Sequence, residues 1–202
     1  MSIFGANKPH IYMFKSVLLF AFLVSTQCLV AQTANDYFKS AKEKMDDGAY
    51  TEAIEDLNQA ISKDKENIDY LLARGEAKFE AGKGILAIQD FNRVIQLDAE
   101  NSMAYASRSA IYVNMKDYKG AIADCKKAIE IDPKNELAYV RMGDSYFFQD
   151  PADYIEAMKS YNYAINLNPK NKMALHNRSI AKRELKDYHG AIEDCNKAII
   201  LD

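Results

Sequence analysis

Residues 117–135 read DYKGAIADCKKAIEIDPKN, and residues 153–171 read DYIEAMKSYNYAINLNPKN, one phrase with its apolar letters largely kept and its polar letters changed. Three further copies are in phase with these two: AYTEAIEDLNQAISKDKEN from Ala49, KGILAIQDFNRVIQLDAEN from Lys83 and DYHGAIEDCNKAIILD from Asp187. Their starts are separated by 34, 34, 36 and 34 residues. A fixed period of this length marks a repeat architecture and decides the fold class before local propensity is consulted.

Within the quoted stretch Ala121, Ile122, Cys125, Ala128 and Ile129 recur at spacings of three, four and seven, which places them on one face of a helix. Ala104, Tyr105, Ile111, Tyr112 and Met115 form a second such face just upstream, and Lys116-Asp117 marks the turn between the two. Each repeat is therefore expected to be a hairpin of two helices of roughly 12 to 14 residues. Such a hairpin cannot bury its apolar face alone, so stability comes from stacking on its neighbours.

Period and pattern together resemble the tetratricopeptide repeat family. Residues 102–135 carry its pattern in Tyr105, Ser109, Tyr112, Ala121, Cys125, Ala128 and Pro133, and residues 136–171 carry it in Tyr139, Gly143, Tyr146, Ala157, Tyr161, Ala164 and Pro169. Residues 34–67, 68–101 and 172–202 fit less completely: Lys44 replaces an aromatic, Leu71 and Leu175 open their repeats, and Lys65 and Ala99 stand for the closing proline. The resemblance implies an all-α, right-handed superhelical solenoid of five helix-turn-helix repeats. In the family the small residues Gly75, Ser109, Gly143, Ala53, Ala87, Ala121, Ala157 and Ala191 would sit where helices cross closely.

Residues 1–31 differ in kind. Lys8, His10 and Lys15 precede the apolar run VLLFAFLV at 17–24, then come STQ and CLVAQ, the order of a secretory signal with its cut favoured after Ala31. Eight strongly apolar residues are too few for a spanning helix, which needs about 20. Lipidation at Cys28 is the weaker alternative, because Gln27 rather than a small residue precedes it. The protein is thus expected to be exported, periplasmic or extracellular, touching a membrane only through an uncleaved signal or a lipid on Cys28. The net charge of −3 carries no basic stripe, which argues against nucleic acid as a partner.

Residues able to do chemistry are few. Cys125 and Cys195 share a repeat position with Leu57, Phe91 and Tyr161, a slot for buried bulk. Two repeats apart, they lie beyond the ~7 Å reach of a disulfide. His176 and His189 have no partner at metal-ligand spacing, so neither a metal nor a cofactor is expected. Asp56, Asp90, Asp124 and Asp194 recur in register, as do Arg74, Arg108 and Arg178; the expectation is a ladder of structural ion pairs, each weak. With no catalytic constellation, the chain is not expected to be an enzyme.

The resemblance further implies that first helices line a concave groove holding an extended peptide or a helix of a partner protein. The family's groove positions map onto Leu72, Phe79, Met103, Ala106, Ala110, Val113, Leu137, Val140, Arg141, Phe147 and His176, with Phe38, Lys42, Glu76 and Asp144 beside them. The apolar middle of this set favours a hydrophobic ligand segment. The family's two-carboxylate clamp is absent, since its slots hold Phe38, Lys42, Ala73, Met103 and Ser107. The expectation is a non-catalytic protein-binding scaffold. Kept beside it are a structural subunit of a cell-envelope complex docking by convex or end faces, and a small-ligand receptor or enzyme accessory domain. Ile192, Ile199 and Leu201 mark an apolar end through which copies could associate.

Overall fold

The computed structural model describes residues 32–201; the expected signal segment and its cut lie outside them. Among the described residues the chain forms ten helices and no strand. They are α1 (Ala34–Asp46), α2 (Tyr50–Lys63), α3 (Ile68–Glu80), α4 (Gly84–Leu97), α5 (Ser102–Asn114), α6 (Tyr118–Ile131), α7 (Glu136–Phe148), α8 (Tyr154–Leu167), α9 (Lys172–Glu184) and α10 (Tyr188–Ile200). Odd-numbered helices open the hairpins and even-numbered helices close them.

The polar letters of the repeat set the helix boundaries. Asn67, Asn101, Asn135 and Asn171 each cap a first helix, their side-chain oxygens accepting the N–H three residues on. Asp117, Asp153 and Asp187 do the same for second helices. Ala49 and Lys83 stand at the corresponding positions of α2 and α4 and provide no side-chain cap. Between the helices of four hairpins one residue adopts a left-handed backbone: Gly48, Gly82, Lys116 and Lys186, with φ of 75°, 73°, 62° and 65°. Glycine takes this conformation without steric cost, whereas lysine does not. The fourth hairpin carries the two extra residues and closes instead through the Asp153 N–H donating to the Tyr146 carbonyl at 2.9 Å.

The core forms layers that cross repeat boundaries. Ala41, Ala53, Ile54 and Leu57 of the first repeat pack with Ala73 and Ala77 of the second, and Val140, Ala157, Tyr161 and Ala164 of the fourth pack with Ala174 and Ala181 of the fifth. Ala53, Ala87, Ala121 and Ala157 are fully buried, as close crossings require.

Inside each hairpin a small residue faces a bulky one. A Cβ added to Gly75 would lie 2.7 Å from Cε1 of Phe91, and one added to Gly143 would collide with the Tyr161 ring. Where the bulky slot holds only a cysteine, the facing residue grows to serine: Cys195 Sγ donates to Ser179 Oγ at 3.3 Å, and Ser109 stands beside Cys125 at the same repeat positions, its hydroxyl favouring the thiolate. The two cysteines are thus packing residues of a size-matched pair. Burial pushes the Cys125 thiol up to about 12, outweighing the Ser109 hydrogen bond, so at neutral pH it holds its proton.

The expected Arg–Asp ladder is present at three aspartates, while Asp56 is held by Lys44 and Ser40 instead, and burial corrects the expectation of weakness at the three. Arg74 donates to both carboxylate oxygens of Asp90 at 3.0 and 2.6 Å, Arg108 to those of Asp124 at 2.7 and 2.7 Å, and Arg178 to those of Asp194 at 2.8 and 2.6 Å. These aspartates are 3%, 7% and 1% exposed, too little for water to take over if the arginine is removed. Burial of Asp194 opposes its ionisation, yet the Arg178 and Lys182 hydrogen bonds prevail and hold its carboxyl below the usual 3.8. The remaining arginine nitrogen Nη1 reaches back to the preceding repeat, donating to Asn58, Asn92 and Asn162 at 2.9, 2.6 and 2.7 Å. Each rung therefore staples three helices. Lys126, Met142 and Ser160 replace all three members between the third and fourth repeats. There α5 and α7 pack directly against each other, far more than other successive first helices do.

Candidate functional site

A pocket of about 360 Å³ lies across α1, α3, α5 and α7, four of the five first helices. Phe79, Ala110, Leu137 and Arg141, four of the expected groove residues, line it together. Met45, Asp46, Tyr50, Glu80 and Ser107 complete much of the wall and were not on the expected list, whereas Glu76 was placed beside it. The repeat register could have supplied Met45, which stands 34 residues before Phe79. Small side chains on α5, Ser107 and Ala110, line it, and α7, packed directly against α5, adds Leu137 and Arg141.

The register also explains a correction. Leu72, Ala106, Val140 and His176 occupy one position of the first helix, and in the first three of them it packs toward the next repeat rather than into the groove. Ala106 and Val140 are 0% and 1% exposed, in the core with Ala128 and Ala138 and with Tyr161 and Ala174 respectively, so neither can touch a partner. Leu72 packs against the clusters around Val94 and Phe91. His176 is exposed and lines a separate depression with Lys172, Cys195, Ala198 and Ile199. Met103 is 43% exposed near the start of α5, and Val113 is half-buried near its end.

Phe147 belongs to a second, smaller cleft of about 130 Å³, with Asp144, Phe148, Tyr161, Asn177 and Ile180. Its ring meets Phe148 and Tyr154 edge-on at 5.0 and 5.3 Å between centroids. Asp144, 5% exposed, accepts from Tyr161 Oη at 2.9 Å, Asn177 Nδ2 at 2.8 Å and Arg141 Nη1 at 3.2 Å. Burial, the Asp144 charge and this hydrogen bond push the Tyr161 hydroxyl well above its ordinary value. Three donors satisfy Asp144, so it is a structural anchor. Arg141 spends one nitrogen on it, while its Nε is buried without a hydrogen-bond partner.

The charge of the large pocket is uneven. Asp46, Glu76 and Glu80 stand on the side of α1 and α3, and Arg141 stands opposite on α7. Burial raises the Glu76 pKa, Lys42 counteracts it and Glu80 adds to it. Among the described residues no group of three or more His, Cys, Asp or Glu is placed to hold a metal ion, and no helix is long and apolar enough to cross a membrane.

Comparison with known proteins fits this architecture. The family profile for the tetratricopeptide repeat matches residues 103–135, and a second TPR repeat profile matches residues 41–82. The stress-induced-phosphoprotein 1 of Caenorhabditis elegans is 35% identical over 60 residues, which is 30% of this chain and only 18% of that protein. Among solved structures, a thermophilic TPR protein of Thermus thermophilus superposes with a TM-score of 0.77 at 13% identity, covering 84% of this chain and 91% of that one. The Cut9–Hcn1 hetero-tetramer of the APC/C contains a chain that superposes with a TM-score of 0.78 at 17% identity, covering 94% of this chain and 37% of that one. At such identities the likeness concerns the fold. Residues 41–82 and 103–135 thus match models of the tetratricopeptide repeat, and the described helical hairpins share the fold of the TPR structures.

Proposed function

We propose that this protein is a non-catalytic scaffold, working in an exported compartment, that holds a segment of another protein in its concave groove. The observation that carries the reading is the pocket spanning α1 to α7, because a site built from four repeats presents a continuous surface to one extended ligand. The matched repeats and the TPR structures support it, as does the leader-like composition of residues 1–31 for export.

The test is co-purification of partners from the source organism with the wild-type protein and with Ser107→Arg, which fills the pocket from a half-buried position. The expected outcome is loss of the partner from Ser107→Arg at an unchanged melting temperature, and retention by Arg93→Glu outside the pocket. Retention by Ser107→Arg would reject the groove. A second reading, docking or self-association by an end face, is favoured by Ile192 and Ile199 on α10, which are 61% and 68% exposed. Their counterparts Ile122 and Ile129 on α6 are half-buried. Light scattering that finds only monomer at high concentration would remove self-association.

A further inference from the structure

Resting on the groove reading above, we infer that the pocket across α1, α3, α5 and α7 receives a protein segment in which a lysine or arginine adjoins an apolar residue. The apolar half follows from Met45, Phe79, Ala110 and Leu137, and a volume of about 360 Å³ has room for a few side chains rather than a whole element. The cationic half follows from the acids. Asp46, Glu76 and Glu80 line the pocket against one basic residue, Arg141, and Arg141 already shares its charge with Asp144.

Glu76 is the most informative of the three. Elsewhere in the array a buried acid is engaged: Asp90, Asp124 and Asp194 each hold an arginine by two bonds and Asp144 accepts three donors. Glu76 is half-buried and, among the described residues, forms no ion pair or hydrogen bond. Packing does not demand an acid there, since the same repeat position holds Lys42, Ala110, Asp144 and Ile180 in the other copies. Burial raises its pKa, Lys42 opposes and Glu80 adds to it, and since Lys42 does not line the pocket the wall offers Glu76 no partner in positive charge. An ammonium or guanidinium group from a ligand would supply it, whereas a ligand carboxylate would meet three of its own kind.

The experiment is selection of random short peptides displayed on phage against the purified protein, in parallel with the Glu76→Gln/Glu80→Gln variant. Glutamine keeps size and polarity at both sites, and a melting curve verifies the fold. Peptides selected on the wild type are expected to pair Lys or Arg with Leu, Ile, Phe or Met, and to bind the double variant about fivefold more weakly. Apolar peptides without basic residues, basic peptides whose binding the variant leaves unchanged, or full displacement by spermidine would each overturn the inference. The first two leave the groove reading standing. Failure to select any peptide overturns the inference as well, and the groove reading is then judged separately by whether Ser107→Arg loses its partner.

Discussion

At the scale of single residues, the three aspartates of DYKGAIADCKKAIEIDPKN do three unrelated jobs. Asp117 caps α6, Asp124 takes the bidentate Arg108, and Asp132 accepts the Lys134 N–H at 2.9 Å in the turn toward the next repeat. Identity of residue type therefore says little until the register is fixed. The size-matched pairs lend themselves to direct measurement. Phe91→Cys alone leaves a void and is expected to cost about 3 kcal/mol. Gly75→Ser alone drives a side chain into Phe91 and is expected to cost about 1 to 3 kcal/mol. Joined, they recreate the Ser–Cys pair of the third and fifth repeats, so chemical denaturation is expected to give a double-variant cost well below the sum. Strict additivity would mean that the pair does not act as one packing unit.

At the scale of helices, the uncapped start of α4 and the strained turn before α6 are places where the repeat departs from its own best letters. Lys83→Asp supplies the cap that Asp117 provides for α6, and Lys116→Gly relieves a lysine at φ 62°. Each is expected to stabilise by about 1 kcal/mol, read as a higher denaturation midpoint. A lower midpoint for Lys83→Asp would show that the backbone at φ −97°, ψ 46° does not admit the cap. These details also show what was legible in advance. Helices, turns and small residues at crossings were readable, because period and pattern fix them. So was the pairing of Arg74, Arg108 and Arg178 with aspartates, though not its burial, which depends on the neighbouring repeat closing over it. The groove was readable only in part. Leu72, Ala106 and Val140 lie on the same helices as residues that line the pocket, and what turns them into the core is packing between repeats, which one repeat's pattern does not contain. Glu80 and Asp46 lie at helix ends, where an interior register gives no signal.

At the scale of the whole repeat array, five similar hairpins do not make five equivalent junctions. Three are joined by an arginine that binds its own aspartate and the preceding asparagine, and among the described residues the junction between the third and fourth repeats lacks that staple. A staple shared by three helices ties the opening of one repeat to that of its neighbour, and a junction without one lets the two sides open at different free energies. The missing rung leaves the coupling across this junction to the direct packing of α5 on α7, without the charged staple that fixes the other three. Native-state hydrogen exchange is expected to divide the amides into two blocks, residues 34–135 and 136–201, each with its own opening free energy. Lys126→Asn, Met142→Arg and Ser160→Asp together write the staple back, and the two blocks should then exchange as one.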